Sequence, residues 1–242
     1  MKQRQDITYV YDGSYEGMLT CVFRCYEDKF IPAQVLVQPS LLPYSRIFTD
    51  KSKAARVTRG VARTMGRMAE NVIRTVYLAD NEQKEMAVIR FVVYGMAAGE
   101  RACRDLAHPD VAEVYELFRA VNREKRMCME RLKFSVIGDV LVSVVAPTHN
   151  VLPLIAPHFV QRFPNEDIFI YDKVHKLGLT YSHGRTQITQ IENFEPAEAD
   201  EDEETYRRLW KIFFDTVEIK ERHNPRCQKN HMPGRYSNFW SA

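Results

Sequence analysis

Leu132-Lys133-Phe134-Ser135-Val136-Ile137-Gly138-Asp139-Val140-Leu141-Val142-Ser143-Val144-Val145-Ala146 decides the fold class, because the spacing of apolar residues changes on entering it. Upstream, from Asp50 to Arg131, apolar residues recur in steps of three and four, the period of a helix. Here they alternate or run on, the period of strands. The reading is α+β: a helix-rich N-terminal half packed with a small antiparallel sheet and a C-terminal helix.

Downstream of this stretch the pattern stays strand-rich. Lys133 to Ile137 and Val140 to Ala146 read as a hairpin turning at Gly138-Asp139, followed by a helix over 151–163. Ile168 to Asp172, Leu177 to Ser182 and Thr186 to Ile191 read as a meander, with turns at Lys173 to Lys176 and His183-Gly184. The acidic run Glu195 to Glu204 suits the first turn of a helix over 203–220. Upstream, helices are expected over 51–80, with a break near Gly66, over 83–104 and over 109–131, the last with proline at a favoured first-turn position. At the start, a strand over Ile7 to Tyr11 meets Asp12-Gly13-Ser14, where Asp12 or Ser14 caps a helix from Tyr15 to Tyr26. Phe30 to Gln38 and Tyr44 to Phe48 read as extended segments broken by Pro32, Pro39 and Pro43. The 242 residues allow one unit or two intimate subdomains, 1–131 mainly helical and 132–242 antiparallel sheet plus helices.

Hydrophobic residues make up 45% and charged residues 27% of the chain, a globular composition that argues against long disorder. No stretch approaches the roughly 18 apolar residues of a spanning helix, and the polar start Met1 to Asp6 lacks the apolar core of a signal peptide. The expectation is a cytoplasmic protein without membrane association. Five cysteines, an odd number with no Cys-x-x-Cys pair, signal neither a disulfide framework nor a zinc or iron–sulfur site. Cys21 and Cys25, one turn apart among Tyr15, Met18, Leu19, Val22 and Phe23, are expected to line a buried face. A glycine-rich phosphate loop, a dinucleotide fingerprint, a His-Glu-x-x-His helix and a zinc-deaminase signature are all missing from the sequence, so no cofactor and no metal is expected.

Four groups of residues carry chemistry. Arg56, Arg59, Arg63, Arg67 and Arg74 step by three, four, four and seven, which at about 100° per residue keeps them in one stripe. Val57, Val61, Met65, Met68, Val72 and Val76 lie opposite, and only Glu70 interrupts the positive face. Arginine's planar fork suits phosphate oxygens; the alternative is a solvated face paired with acids from neighbouring helices. The second group is the C-terminal stretch from Ile219 to Tyr236, where Asn224-Pro225 ends the preceding helix and leaves Arg222, Arg226, Lys229, His231 and Arg235 beside Tyr236, Phe239 and Trp240. Cations interleaved with flat rings are what single-stranded nucleic acid requires; the alternative is a tail tucked onto the core.

Third come His158 and Arg162, one turn apart, with Asp172 at the end of the next strand. There the carboxylate can orient His158 or receive Arg162, for acid–base work or as a structural cluster. Fourth, Asp12 and Glu16 stand four residues apart at a helix start, as a cap or as a catalytic or cation-binding pair.

Tyr11-Asp12-Gly13-Ser14-Tyr15-Glu16-Gly17, the segment Pro157-His158-Phe159 to Arg162-Phe163-Pro164 with Tyr171-Asp172, and the ending Arg222-Asn224-Pro225-Arg226 to His231-Met232-Pro233-Arg235-Tyr236 occur in this order. Together they resemble an uncharacterised family whose members are described as probable DNA-metabolism proteins. Nearly the whole of 1–242 is covered, as one family-length unit. The resemblance implies association with a DNA-modification or repair radical SAM protein similar to spore photoproduct lyase. Some members of that family are joined to a uracil-DNA-glycosylase-like domain, which is not expected after the last motif here.

The implied role is a nucleic-acid-binding accessory that holds single-stranded or damaged DNA, by Arg56, Arg59, Arg63, Arg67, Arg222, Asn224, Arg226, Lys229, Arg235 and Tyr236. One alternative is an enzyme acting on a DNA base or backbone with His158, Asp172 and His231 as acid–base groups. Another is a protein-interaction scaffold.

Overall fold

The computed structural model describes residues 4–39, 43–137 and 140–191. The helix expected over 203–220 and the basic ending that follows it lie outside the described residues. The chain divides into two compact units, 1–123 and 124–242, so the division falls inside a helix and not at the change of period near 131.

The first unit starts with β1 (Arg4–Val10), α1 (Tyr15–Asp28), β2 (Ile31–Leu36) and β3 (Tyr44–Arg46). These three strands form a sheet in the order β2-β1-β3 with both pairings parallel. Parallel neighbours require a crossover, and α1 supplies it between β1 and β2. Central β1 buries Tyr9 and Val10. Pro32 falls in β2, an edge strand, where the missing donor does least harm. Ser14 caps α1 by accepting the Gly17 N–H at 3.0 Å. Cys21 and Cys25 are fully buried in the core of this unit, and burial pushes the Cys25 thiol up to about 12.

Helices α2 (Lys51–Thr64) and α3 (Arg67–Tyr77) follow. Asp50 caps α2 by accepting from the N–H groups of Ser52 and Lys53. Between the two helices Gly66 adopts φ 85° and ψ 168°, a conformation open essentially to glycine alone. Next, α4 (Lys84–Ala98) runs into a single 3₁₀ segment, Gly99–Arg104, and then α5 (Pro109–Arg131) crosses into the second unit. α4 packs against α1, α2, α3 and β2, which explains why it is apolar nearly all round, with Met86, Val88, Ile89, Phe91 and Val92 buried.

The second unit holds the end of α5, then β4 (Ser135–Ile137), β5 (Val140–Val145), α6 (Leu152–Arg162), β6 (Asp167–Asp172), β7 (Leu177–Ser182) and β8 (Arg185–Gln190). Its sheet runs β4-β5-β6-β7-β8. The hairpin of β4 with β5 and the meander β6-β7-β8 are antiparallel, as expected. β5 and β6, however, are parallel, with Val145 opposite Asp172. The sheet is therefore mixed and not antiparallel throughout, because α6 carries the chain back to the starting edge before β6 begins. Among the described residues no helix is long and apolar enough to cross a membrane.

Candidate nucleic-acid interface

The sequence Lys51–Thr64 contains five cations and no acid, so nothing on α2 itself neutralises its outer face. Arg56, Arg59 and Arg63 on α2 and Arg67 and Arg74 on α3 are all exposed. Opposite them Val61, Met65, Val72 and Val76 are buried, while Met68 is exposed. The break at Gly66 accounts for Met68: it resets the helical phase, and α3 buries Ala69, Val72, Ile73 and Val76 instead.

The five guanidinium groups differ in their surroundings. Arg74 pairs with Glu70 on the preceding turn at 3.0 Å and lies over the Tyr15 ring. Arg56 lies 4.9 Å above the Phe23 ring, a placement that holds the group while leaving its N–H edge open to a ligand. Arg59, Arg63 and Arg67 have no acidic partner among the described residues. Only one arginine of the stripe is thus neutralised there by an acid, and that acid comes from its own helix, not from a neighbour.

Asp12 serves the loop between β1 and α1. One carboxylate oxygen accepts from the Ser14 N–H at 3.0 Å and the Ser14 hydroxyl at 2.6 Å; the other accepts from the Thr49 hydroxyl at 2.7 Å. These bonds hold its carboxyl below the usual carboxylate range. Glu16 is exposed and shares none of them.

In the second unit Asp172 is fully buried, and its bonds differ from those expected. One oxygen accepts from the N–H groups of Val174 at 2.9 Å and His175 at 3.1 Å; the other lies 2.6 Å from Nδ1 of His175. The ring that Asp172 orients is His175, since the turn after β6 brings that residue straight back onto the carboxylate. His158 and Arg162 do share a face of α6, but the Arg162 guanidinium lies over the Phe163 ring, and Nε2 of His158 is buried without a hydrogen-bond partner among the described residues.

A second buried acid, Glu124 on α5, accepts from the N–H groups of Thr148 at 2.8 Å and His149 at 2.6 Å. Because Val145 and Asp172 are opposite each other, the loops bonded to Glu124 and Asp172 both leave the C-terminal end of the parallel pair β5 and β6. Sequence reasoning missed His175 and Glu124. The available signals were a histidine three residues after Asp172 and an acid in the apolar stripe Val121, Glu124, Cys128. Among the described residues no group of three or more histidine, cysteine or carboxylate side chains could hold a metal ion.

Residues 82–241 match the family described as domain of unknown function DUF4130. The chain belongs to that family. The DUF4130 segment contains His158, Arg162, Asp172 and the basic ending, whereas Asp12, Glu16 and the whole arginine stripe precede it. No curated protein matches the chain. Arg222, Asn224, Arg226, Lys229, His231, Arg235 and Tyr236 lie outside the described residues.

Proposed function

We propose that this DUF4130 protein is a nucleic-acid-binding accessory in DNA modification or repair that holds DNA for a radical SAM partner. The observation that carries the reading is the exposed, acid-free face of Arg59, Arg63 and Arg67 next to the ring-supported Arg56. A phosphate backbone is the partner such a face complements, because each arginine releases condensed counterions when it meets a phosphate. The radical SAM partner rests on the sequence resemblance alone.

The test is binding of the purified chain to labelled single- and double-stranded DNA across a salt series. Affinity is expected to fall steeply with salt. Replacing Arg59, Arg63 and Arg67 by alanine is expected to lower the slope of log K against log salt by about 2 to 3, at about 0.7 to 0.9 for each phosphate no longer neutralised. Joint loss of Arg222, Arg226 and Arg235 is expected to remove binding. No binding at low salt would instead make the basic surfaces docking sites for an acidic protein.

A second reading, an enzyme acting on a DNA base or backbone, draws on one observation, the His175 ring held by a fully buried carboxylate. The same gels, scored for altered DNA, decide it.

A further inference from the structure

β3 carries a surface that phosphate contacts leave unused. It pairs with β1 on one side only, and Tyr44, Ser45 and Arg46 are all exposed. Strand alternation puts Tyr44, Arg46 and Phe48 on one face. On the other, Ile47 is buried and continues the ladder by donating its N–H to the Val10 carbonyl at 2.8 Å. Phe48 is 78% exposed and Tyr44 44%. The Arg46 guanidinium carbon stands 6.0 Å from the centre of the Phe48 ring.

A single exposed ring requires no explanation. Two rings and a cation on one strand face, repeating every two residues or about 6.6 Å, form an ordered array. The backbone beneath it is fixed. Directly after Phe48, the Thr49 hydroxyl is bonded to Asp12, and the Asp50 N–H donates to the Thr20 hydroxyl at 3.2 Å. Asp50 then starts α2, so Phe48 precedes Arg56 by eight residues within one unit. Firm backbone, open rings and adjoining cations are the parts of a surface that stacks bases while tracking their phosphates. Paired bases hide their faces within the duplex and offer such rings nothing to stack on.

We propose that Tyr44, Arg46 and Phe48 form a stacking platform for unpaired bases, so that the DNA held by this protein is single-stranded or locally opened. This deepens the nucleic-acid reading above and rests on it.

The experiment measures binding of a labelled oligo-dT and of a matched duplex to the full chain and to Tyr44→Ala, Phe48→Ala and Phe48→Leu, with sedimentation of each protein. Both positions are exposed, and circular dichroism checks the fold of each variant. Each alanine variant is expected to bind oligo-dT about 10-fold more weakly, with duplex affinity within about twofold and the salt slope unchanged. Phe48→Leu is expected to fall as far as Phe48→Ala, because a leucine keeps apolar area but has no flat face. Salt-dependent oligo-dT binding that is the same in all variants would overturn the platform and leave the arginine reading standing. Equal losses on oligo-dT and duplex would overturn it too. So would a wild-type dimer that the variants convert to monomer without a change in affinity, since β3 would then join two copies. Absence of binding to either DNA by the wild type would remove the arginine reading and the platform together.

Discussion

Asp12 illustrates how little a residue's type says about its work. The sequence offered it as a helix cap or as half of a catalytic pair with Glu16. In the structure Ser14 does the capping, and Asp12 ties the loop after β1 to Thr49, beyond β3. Its hydrogen bonds from Ser14 and Thr49 favour the ionised form, so its folded-state pKa lies below the unfolded one. A depressed carboxyl stabilises the fold above the ordinary carboxylate pKa of about 3.9, and the contribution is lost as pH falls through the folded value. The expected outcome is that Asp12→Asn is less stable than wild type at neutral pH. The gap should close as pH drops below about 4, read as urea midpoints on a pH series; a gap independent of pH would assign the effect to shape alone. Asp172 shows the same limit from the other side. A strand-end aspartate was legible, but its partner was not, because the chain reversal that delivers His175 depends on the turn's geometry and not on spacing along α6.

Helices and strands were far more legible than their partners. The extent of α5, the cap of α1 and the break at Gly66 follow from proline, serine and glycine chemistry that acts within a few residues. The parallel pairing of β5 with β6 does not, since the strand period is the same whichever way a neighbour runs. Extrapolating one helical wheel through Gly66 likewise misplaced Met68, although all five arginines of the stripe remain exposed on two helices. Gly66 joins those helices with φ 85° and ψ 168°. Gly66→Ala is expected to cost about 1–3 kcal/mol from backbone strain, read as a lower urea midpoint. Wild-type stability with higher helical circular dichroism would mean that α2 and α3 fuse into one helix, which the structure does not allow without moving Met65 out of the core.

At the scale of the whole molecule, the DUF4130 match begins at residue 82, yet nothing in the packing marks a folding boundary there. The matched segment opens with α4, whose neighbours α1, α2, α3 and β2 all lie before residue 82. Buried Glu85 accepts a hydrogen bond from the Tyr11 hydroxyl at 2.9 Å. A Cβ at Gly95 would overlap the Met65 side chain, so the two elements are in closest contact at that point. Without residues 1–81, Met86, Val88, Ile89, Phe91 and Val92 would face water. At about 1.5–3 kcal/mol for each such side chain the loss is about 10 kcal/mol, comparable to the entire stability of a typical domain. A fragment of residues 82–242 is therefore expected to aggregate, or to bind a hydrophobic dye and melt without a sharp transition, under conditions where the full chain unfolds cooperatively. A soluble fragment with a sharp transition would show that α4 finds other cover. Because the arginine stripe belongs to the segment that completes this core, DNA binding through it is inseparable from the fold of the first unit. Loss of binding in any truncation must accordingly be compared with the arginine substitutions, which leave α4 covered.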